Sequence, residues 1–237
     1  MHPKKGYTKV FLCGLAFVIS IFPPFLSTTF SQTIHSRSAI VMDMSAERIL
    51  YAKNPERRLP PASTAKLMTA IVAIEKADLS DVVTISKNAS RVRPSKVGFE
   101  KGDKVTLEKL LYAALITSAN DAAVALAEAV AGSEKHFVHL MNQKAASIGA
   151  KDTKFINSTG LPGARQYTTA LDLSKIMRFA LDYPKIKEII GTPTLELVTE
   201  KGKILFLKNT DELLWSDETL IGGKTGYTFR AGHCFVC

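Results

Sequence analysis

Leu59-Pro60-Pro61-Ala62-Ser63-Thr64-Ala65-Lys66-Leu67-Met68-Thr69-Ala70-Ile71-Val72-Ala73-Ile74 organises the rest of the chain. Two prolines followed by a serine read as the start of a helix, because proline is preorganised for the first turn and serine is favoured there. The run after Lys66 is largely apolar around its whole circumference, which marks a helix buried in a core. Lys66 lies three residues after Ser63 and shares its face. An ammonium one turn inside a buried helix is costly unless it is paired or neutral. The spacing therefore predicts an amine held against a hydroxyl away from water. The plainer alternative is a capping serine with a lysine whose stem snorkels out to solvent.

Two further patterns follow in order. Ser118-Ala119-Asn120 stands between the apolar runs Leu110–Thr117 and Asp121–Val130, so it marks the joint of two buried helices, where polar side chains can face a cleft. Ordinary helix capping is the competing role for such residues. Lys224-Thr225-Gly226 follows Leu220-Ile221-Gly222-Gly223 and leads into Tyr227-Thr228-Phe229, a glycine-edged strand that another backbone or a substrate can approach closely. A phosphate-loop reading of Gly223-Lys224-Thr225 fails, because Glu218 stands where that pattern needs glycine. Ser86-Lys87-Asn88 mimics the second pattern but sits among exposed polar residues and is set aside. Taken singly, Ser-x-x-Lys and Ser-x-Asn each arise on the order of once per chain of this length, and Lys-Thr-Gly roughly once in twenty chains. Order and surroundings carry the argument.

The ordered trio resembles the Ser-x-x-Lys, Ser-Asp-Asn, Lys-Thr-Gly set of penicillin-binding proteins and class A β-lactamases, with Ala119 in place of the Asp. From Ala39 to Cys237 the chain is similar to serine-type D-Ala-D-Ala carboxypeptidases, the low-molecular-weight penicillin-binding proteins. Asn157-Ser158-Thr159-Gly160-Leu161, Tyr167-Thr168-Thr169-Ala170-Leu171-Asp172, Asn209-Thr210 with Leu213-Leu214-Trp215, and Ala231-Gly232 after the third motif extend the resemblance. It implies an α+β fold of the penicillin-binding-protein and β-lactamase transpeptidase type. That fold has an antiparallel sheet flanked by helices, and a helical subdomain, with the active site in the cleft between them.

The resemblance also implies roles. Ser63 would be the nucleophile, Lys66 its general base and Ser118 the proton relay. Asn120 would hold the substrate amide, and Lys224 and Thr225 the free carboxylate. The Ser63 and Tyr227 N–H groups would form the oxyanion hole, with Gly226 letting the substrate lie along the strand. The expected partners are a peptidoglycan stem peptide ending in D-Ala-D-Ala and, as covalent inhibitors, β-lactams; no cofactor and no metal are called for. Two alternatives remain. A class A β-lactamase uses a Glu-x-x-x-Asn loop between the second and third motifs, and no Glu from Glu128 to Glu218 has Asn four residues on. A non-catalytic or truncated penicillin-binding remnant is the other.

Composition fits an exported enzyme. Lys4, Lys5 and Lys9 precede a thirteen-residue, mostly apolar run from Val10 to Phe22, too short for a spanning helix and typical of a secretory leader. Residues 1–31 are expected to be a signal peptide and 32–237 the D,D-peptidase domain. Removing the leader with its three Lys takes the net charge from +9 to +6. A basic exported chain suits an anionic bacterial envelope, at the outer face of the cytoplasmic membrane or in the periplasm. Nucleic-acid binding is excluded as a main role, because the cations are scattered and the one cluster (Lys87, Arg91, Arg93, Lys96) has no interleaved aromatics. Cys234 and Cys237 fall on opposite faces of an expected strand, which argues against a disulfide between them. His136 and His139 lack a third ligand for a metal.

Elsewhere the pattern gives two strands, Ala39–Asp43 and Arg48–Lys53, a largely helical middle from Ser63 to about Asp182, and a hairpin of Leu195–Thr199 with Ile204–Leu207. Strands at both ends around a helical centre suggest one sheet. Set against the resemblance, the chain is expected to lack the last strand and closing helix, a later Arg for the substrate carboxylate, the small β-rich second domain and a C-terminal membrane anchor. Such a chain would leave sheet edges and apolar surface open, with poor solubility or low activity.

Overall fold

The computed structural model describes residues 34–46 and 48–237. The leader and its expected cut before Gln32 lie outside the described residues. The helix that the opening stretch predicts is α1 (Lys66–Lys76), and every residue from Lys66 to Ala73 is buried. It is covered on several sides, by α3 (Leu107–Ile116), α4 (Asn120–Ala131), α5 (Glu134–Ser147) and α6 (Ala170–Leu181). The small side chains Ala113, Ala114, Ala122, Ala123 and Ala127 on α3 and α4 are all buried. Side-chain oxygens of Thr106, Ser133 and Thr169 cap α3, α5 and α6, and Gly132 ends α4 in the left-handed region at φ +72°.

The helical middle is interrupted. Strands β3 (Val82–Thr84) and β4 (Lys104–Thr106) pair antiparallel around the short helix α2 (Lys87–Arg91). Strands of three residues carry too little alternation to be read from sequence. Ser86 caps α2 through its hydroxyl, accepting from Ala89 N at 3.0 Å, which explains the decoy motif as local capping. Ser63 does not occupy the cap of α1 either. It sits inside a 3-10 turn, Ala62–Ala65, that feeds the helix.

The remaining strands are β1 (Ala39–Asp43), β2 (Arg48–Lys53), β5 (Thr194–Val198), β6 (Ile204–Lys208), β7 (Lys224–Thr228) and β8 (Gly232–Val236), with α7 (Pro184–Ile190) before β5. They form antiparallel hairpins β1–β2, β5–β6 and β7–β8. The single sheet expected from the two ends is present as separate two-stranded ladders. β1 and β8 both lie against α6, and the Arg37 guanidinium donates to the Arg230 carbonyl at 3.1 Å and to the Ala231 carbonyl, tying the two end hairpins together. Val41, Ile49, Leu50 and Tyr51 of the first hairpin are exposed. The architecture is α+β, with a helical body carrying hairpins, and β7 and β8 both pack on the turn that holds Ser63.

Ile71 is fully buried and Ile49 is 48% exposed. Ile71→Ala is expected to remove about 2–5 kcal/mol of unfolding free energy. Ile49→Ser should change it by no more than about 0.5 kcal/mol. Urea melts of both variants check the assignment of α1 as the structural centre.

Candidate active site

Ser63 is held by backbone from two directions. Ala62, just before it, has φ +49°, a left-handed conformation costing an L-residue roughly 1–2 kcal/mol. Gly160 packs against that residue so closely that a Cβ on it would lie 1.7 Å from the Ala62 carbonyl oxygen. From the other side comes β7, where a Cβ on Gly226 would lie 2.8 Å from Ser63 N. Only glycine backbones fit at these two points, so the loop after Asn157 and the third motif meet the nucleophile turn directly.

Lys66 is completely buried. Its Nζ lies 3.1 Å from Ser63 Oγ, 2.7 Å from Asn120 Oδ1 and 2.8 Å from the Thr159 carbonyl oxygen. Two of these three neighbours can only accept. A neutral amine has two N–H donors and one lone pair; with both hydrogens given to Asn120 and Thr159, the lone pair is left facing the Ser63 hydroxyl. The Asn120 orientation follows from the same accounting, because its Nδ2 donates to the Arg93 carbonyl at 3.0 Å, and that oxygen can only accept. One Nδ2 hydrogen stays available.

The Thr159 carbonyl is fixed in turn. Asn157 Oδ1 accepts from Gly160 N at 2.8 Å and Thr159 Oγ1 at 3.1 Å. Ser158 N and Oγ donate to Glu134 Oε1 at 2.9 and 2.6 Å, and Thr69 Oγ1 donates to the Ser158 carbonyl at 2.7 Å. Asp121, fully buried beside Asn120, accepts from Val97, Gly98 and Phe99 N–H groups and anchors the loop in front of α4. The sequence reading assigned no role to Thr159, Glu134 or Asp121. A main-chain acceptor has no residue signature, and only the Asn157–Leu161 stretch hinted at it.

The other expected site residues are less directly joined. Lys224 is fully buried, and its Nζ donates to the Thr225 carbonyl at 3.1 Å. Thr225 Oγ1 shares a 2.5 Å hydrogen bond with Thr210 Oγ1. Ser118 adopts φ +60°, and its buried Oγ has no hydrogen-bond partner. Tyr227 is exposed on the strand edge, its ring 4.7 Å from that of His233. Ser63, Lys66 and Asn120 thus form one contact set, with Lys224 close enough for its charge to act on Lys66.

Burial drives Lys66 far below the ordinary lysine range; the Lys224 charge pushes the same way, and Asp121 opposes it. Burial also lowers Lys224, to about 7, against the pull of Asp211. A depressed amine against a hydroxyl, with a second cation acting on it, makes a site able to take a proton from that hydroxyl.

The model of the D-alanyl-D-alanine carboxypeptidase family matches residues 26–237. The chain belongs to this family. It is 36% identical over 212 residues to the D-alanyl-D-alanine carboxypeptidase DacF of Bacillus subtilis, covering 87% of this chain but only 54% of that relative. The chain therefore spans about half the length of this curated family member. Among solved structures, a D-alanyl-D-alanine carboxypeptidase from Mycobacterium tuberculosis superposes with TM-score 0.81 at 34% identity, over 85% of this chain and 76% of that one. The Streptomyces K15 DD-transpeptidase superposes with TM-score 0.81 at 32% identity, over 86% and 84%. These likenesses bear out the penicillin-binding DD-peptidase fold expected from the motifs.

The buried amines also set a pH dependence of stability. Unfolded, Lys224 keeps its proton up to about 10.5; folded, it releases it near 7. Between these values the unfolded chain binds more protons, so the contribution is full above 10.5 and is lost as pH falls through 7, by about 1.4 kcal/mol per unit at most. Urea melts should show stability rising from neutral to alkaline pH. Lys224→Met should have a flatter profile than wild type. Parallel profiles for the two proteins would contradict the burial of this charge.

Proposed function

We propose that this chain is a serine D-Ala-D-Ala carboxypeptidase that removes the terminal D-Ala from peptidoglycan stem peptides through an acyl-enzyme on Ser63. The observation that carries the reading is the buried Lys66 amine, 3.1 Å from Ser63 Oγ, with its remaining contacts on two oxygens that cannot donate. Family membership supplies the substrate class. The relatives named as carboxypeptidases point to the same bond, and the name DD-transpeptidase of the Streptomyces protein fits an acyl-enzyme passed to an amine instead of water.

In this mechanism Ser63 Oγ attacks the carbonyl carbon between the two D-Ala residues while its proton passes to Lys66. The carbonyl oxygen takes up negative charge against the Ser63 and Tyr227 N–H groups, a role supported by the close approach of β7 to the nucleophile turn. Ser118 relays the proton to the nitrogen of the leaving D-Ala, the C–N bond breaks, and the shortened peptide stays esterified to Ser63. The unpartnered Ser118 hydroxyl is free for the relay. Water then attacks the ester, giving its proton back through Lys66 and releasing Ser63. Lys224 and Thr225 hold the free carboxylate, Gly226 keeps the strand open to the peptide, and Asn120 positions Lys66 while offering its free N–H to the substrate amide. Residues 32–237 form the catalytic domain in this reading, and residues 1–31 export it. Family members act on peptidoglycan in the cell envelope, and this chain would work outside the cytoplasmic membrane.

A β-lactamase role is disfavoured by the missing Glu-x-x-x-Asn loop. After acylation by penicillin the ester should persist, since the chain lacks the Glu-x-x-x-Asn glutamate that activates water in class A β-lactamases. Mass spectrometry of protein treated with penicillin should find a long-lived adduct of one penicillin on the Ser63 peptide, and a stem-peptide mimic should release D-Ala. Ser63→Ala should abolish both with an unchanged melt. An adduct on another residue, or rapid penicillin turnover, would overturn the assignment.

Gly160→Ala tests the backbone support of the same site. A Cβ would have to displace the Ala62 carbonyl, moving Ser63 or the Thr159 oxygen. Acylation should slow by about tenfold to a hundredfold, the usual effect of small misplacements. An unchanged acylation rate would show that the clamp does not matter.

A further inference from the structure

Among the described residues, two buried side-chain atoms lack a hydrogen-bond partner: Ser118 Oγ and Asp211 Oδ2. The first has a proposed role. The second belongs to none of the three motifs. Asp211 is 1% exposed. Its Oδ1 caps the 3-10 turn Glu212–Trp215 by accepting from Leu213 N at 3.1 Å, and its own N–H donates to Asn209 Oδ1 at 3.0 Å. Capping needs one oxygen, and Asn or Ser would supply it as well. A second carboxylate oxygen, buried and unpartnered, carries a desolvation penalty that capping does not explain.

Its position gives the reason. The neighbouring Thr210 is tied on both sides, its N–H donating to the Ile116 carbonyl at 3.1 Å and its hydroxyl sharing a hydrogen bond with Thr225. Residues 209–211 are therefore fixed between the helix end that leads to Ser118 and the strand that carries Lys224. Lys224 is fully buried, and among the described residues its one hydrogen bond goes to a main-chain oxygen. We propose that Asp211 is the counter-charge that favours the protonated form of Lys224 inside the pocket, acting as a positioning residue for the motif lysine.

Lys66, from α1, interacts with Lys224 as a like charge, and Asp121 acts on Lys66 from the side of α4. The Cys237 thiol, beyond β8, also feels Asp211 and is pushed up by burial and by that carboxylate, so it stays neutral. Burial raises Asp211 itself, and the Lys224 cation draws it back. Asp211 thus favours the charged form of Lys224, and the Lys224 charge in turn disfavours the charged form of Lys66, the base. Pairs of groups driven apart in this way are how acid and base roles are separated near neutral pH.

The inference rests on the reading of the pocket as an acylation site. Covalent labelling by a fluorescent penicillin is followed from pH 5 to pH 10 for wild type, Asp211→Asn, Asp211→Ser and Asp211→Glu. Without the negative charge Lys224 loses its proton sooner, so the upper limb of the rate profile should move down by about half a unit or more in the Asn and Ser variants. Asp211→Glu should restore it. Both neutral variants keep an oxygen for Leu213 N, so failure of one to fold leaves the other to decide. A uniform loss of rate at every pH, with the limb unmoved, would mean that Asp211 is only structural and would overturn the inference. If wild type never labels, the acylation reading itself falls and takes this inference with it.

Discussion

An amine sealed from water against a serine hydroxyl is the constraint on which the rest of this structure depends. Burying Lys66 as an ammonium would be strongly unfavourable, and the surroundings respond to that cost. Asn120 Oδ1 and the Thr159 carbonyl occupy two of its three directions, the Lys224 charge adds repulsion, and α1 is enclosed by four other helices. The outcome is a base whose lone pair has one place to go. Much of the remaining architecture holds those partners still. Glu134 and Thr69 fix Ser158 from α5 and α1, Asn157 folds the loop onto itself, and Asp121 ties down the segment facing α4.

Backbone strain is concentrated at the same place. Among the described residues, two of the four non-glycine residues with positive φ belong to the site: Ala62, next to the nucleophile, and Ser118, which carries the second motif hydroxyl. Such conformations persist only where the surroundings over-determine them. Here Gly160 and β7 press on the turn of Ser63 from opposite sides. The site is accordingly rigid by construction, and the chemistry proposed for it asks for proton movement with little rearrangement.

The helical core was legible because its signal is long and one-dimensional. An apolar run on both sides of Ser118-Ala119-Asn120 places the joint, and α3 does end at Ile116 with α4 beginning at Asn120. Lys66 could be placed on the face of Ser63 from spacing alone. What spacing could not supply was anything made by main chain or by tertiary approach: the Thr159 oxygen, the 3-10 turn in place of a capped helix start, or the three-residue strands β3 and β4. Asp211 was hidden for another reason. In sequence it is an acidic residue before a turn, and only burial together with an idle oxygen sets it apart. The separate hairpins at the two ends likewise reflect pairing, which alternation alone does not encode.

The most direct test is the protonation of Lys66 in the folded chain. Lysine side chains labelled with ¹³C at Cε can be titrated by NMR, with Lys66→Arg identifying the signal. A midpoint well below the ordinary lysine value of 10.5 is expected, because burial and the Lys224 charge both disfavour the ammonium. A Lys66 signal that titrates at or above that value would mean a permanent ammonium beside Ser63, and the proton-transfer chemistry built on it would be wrong.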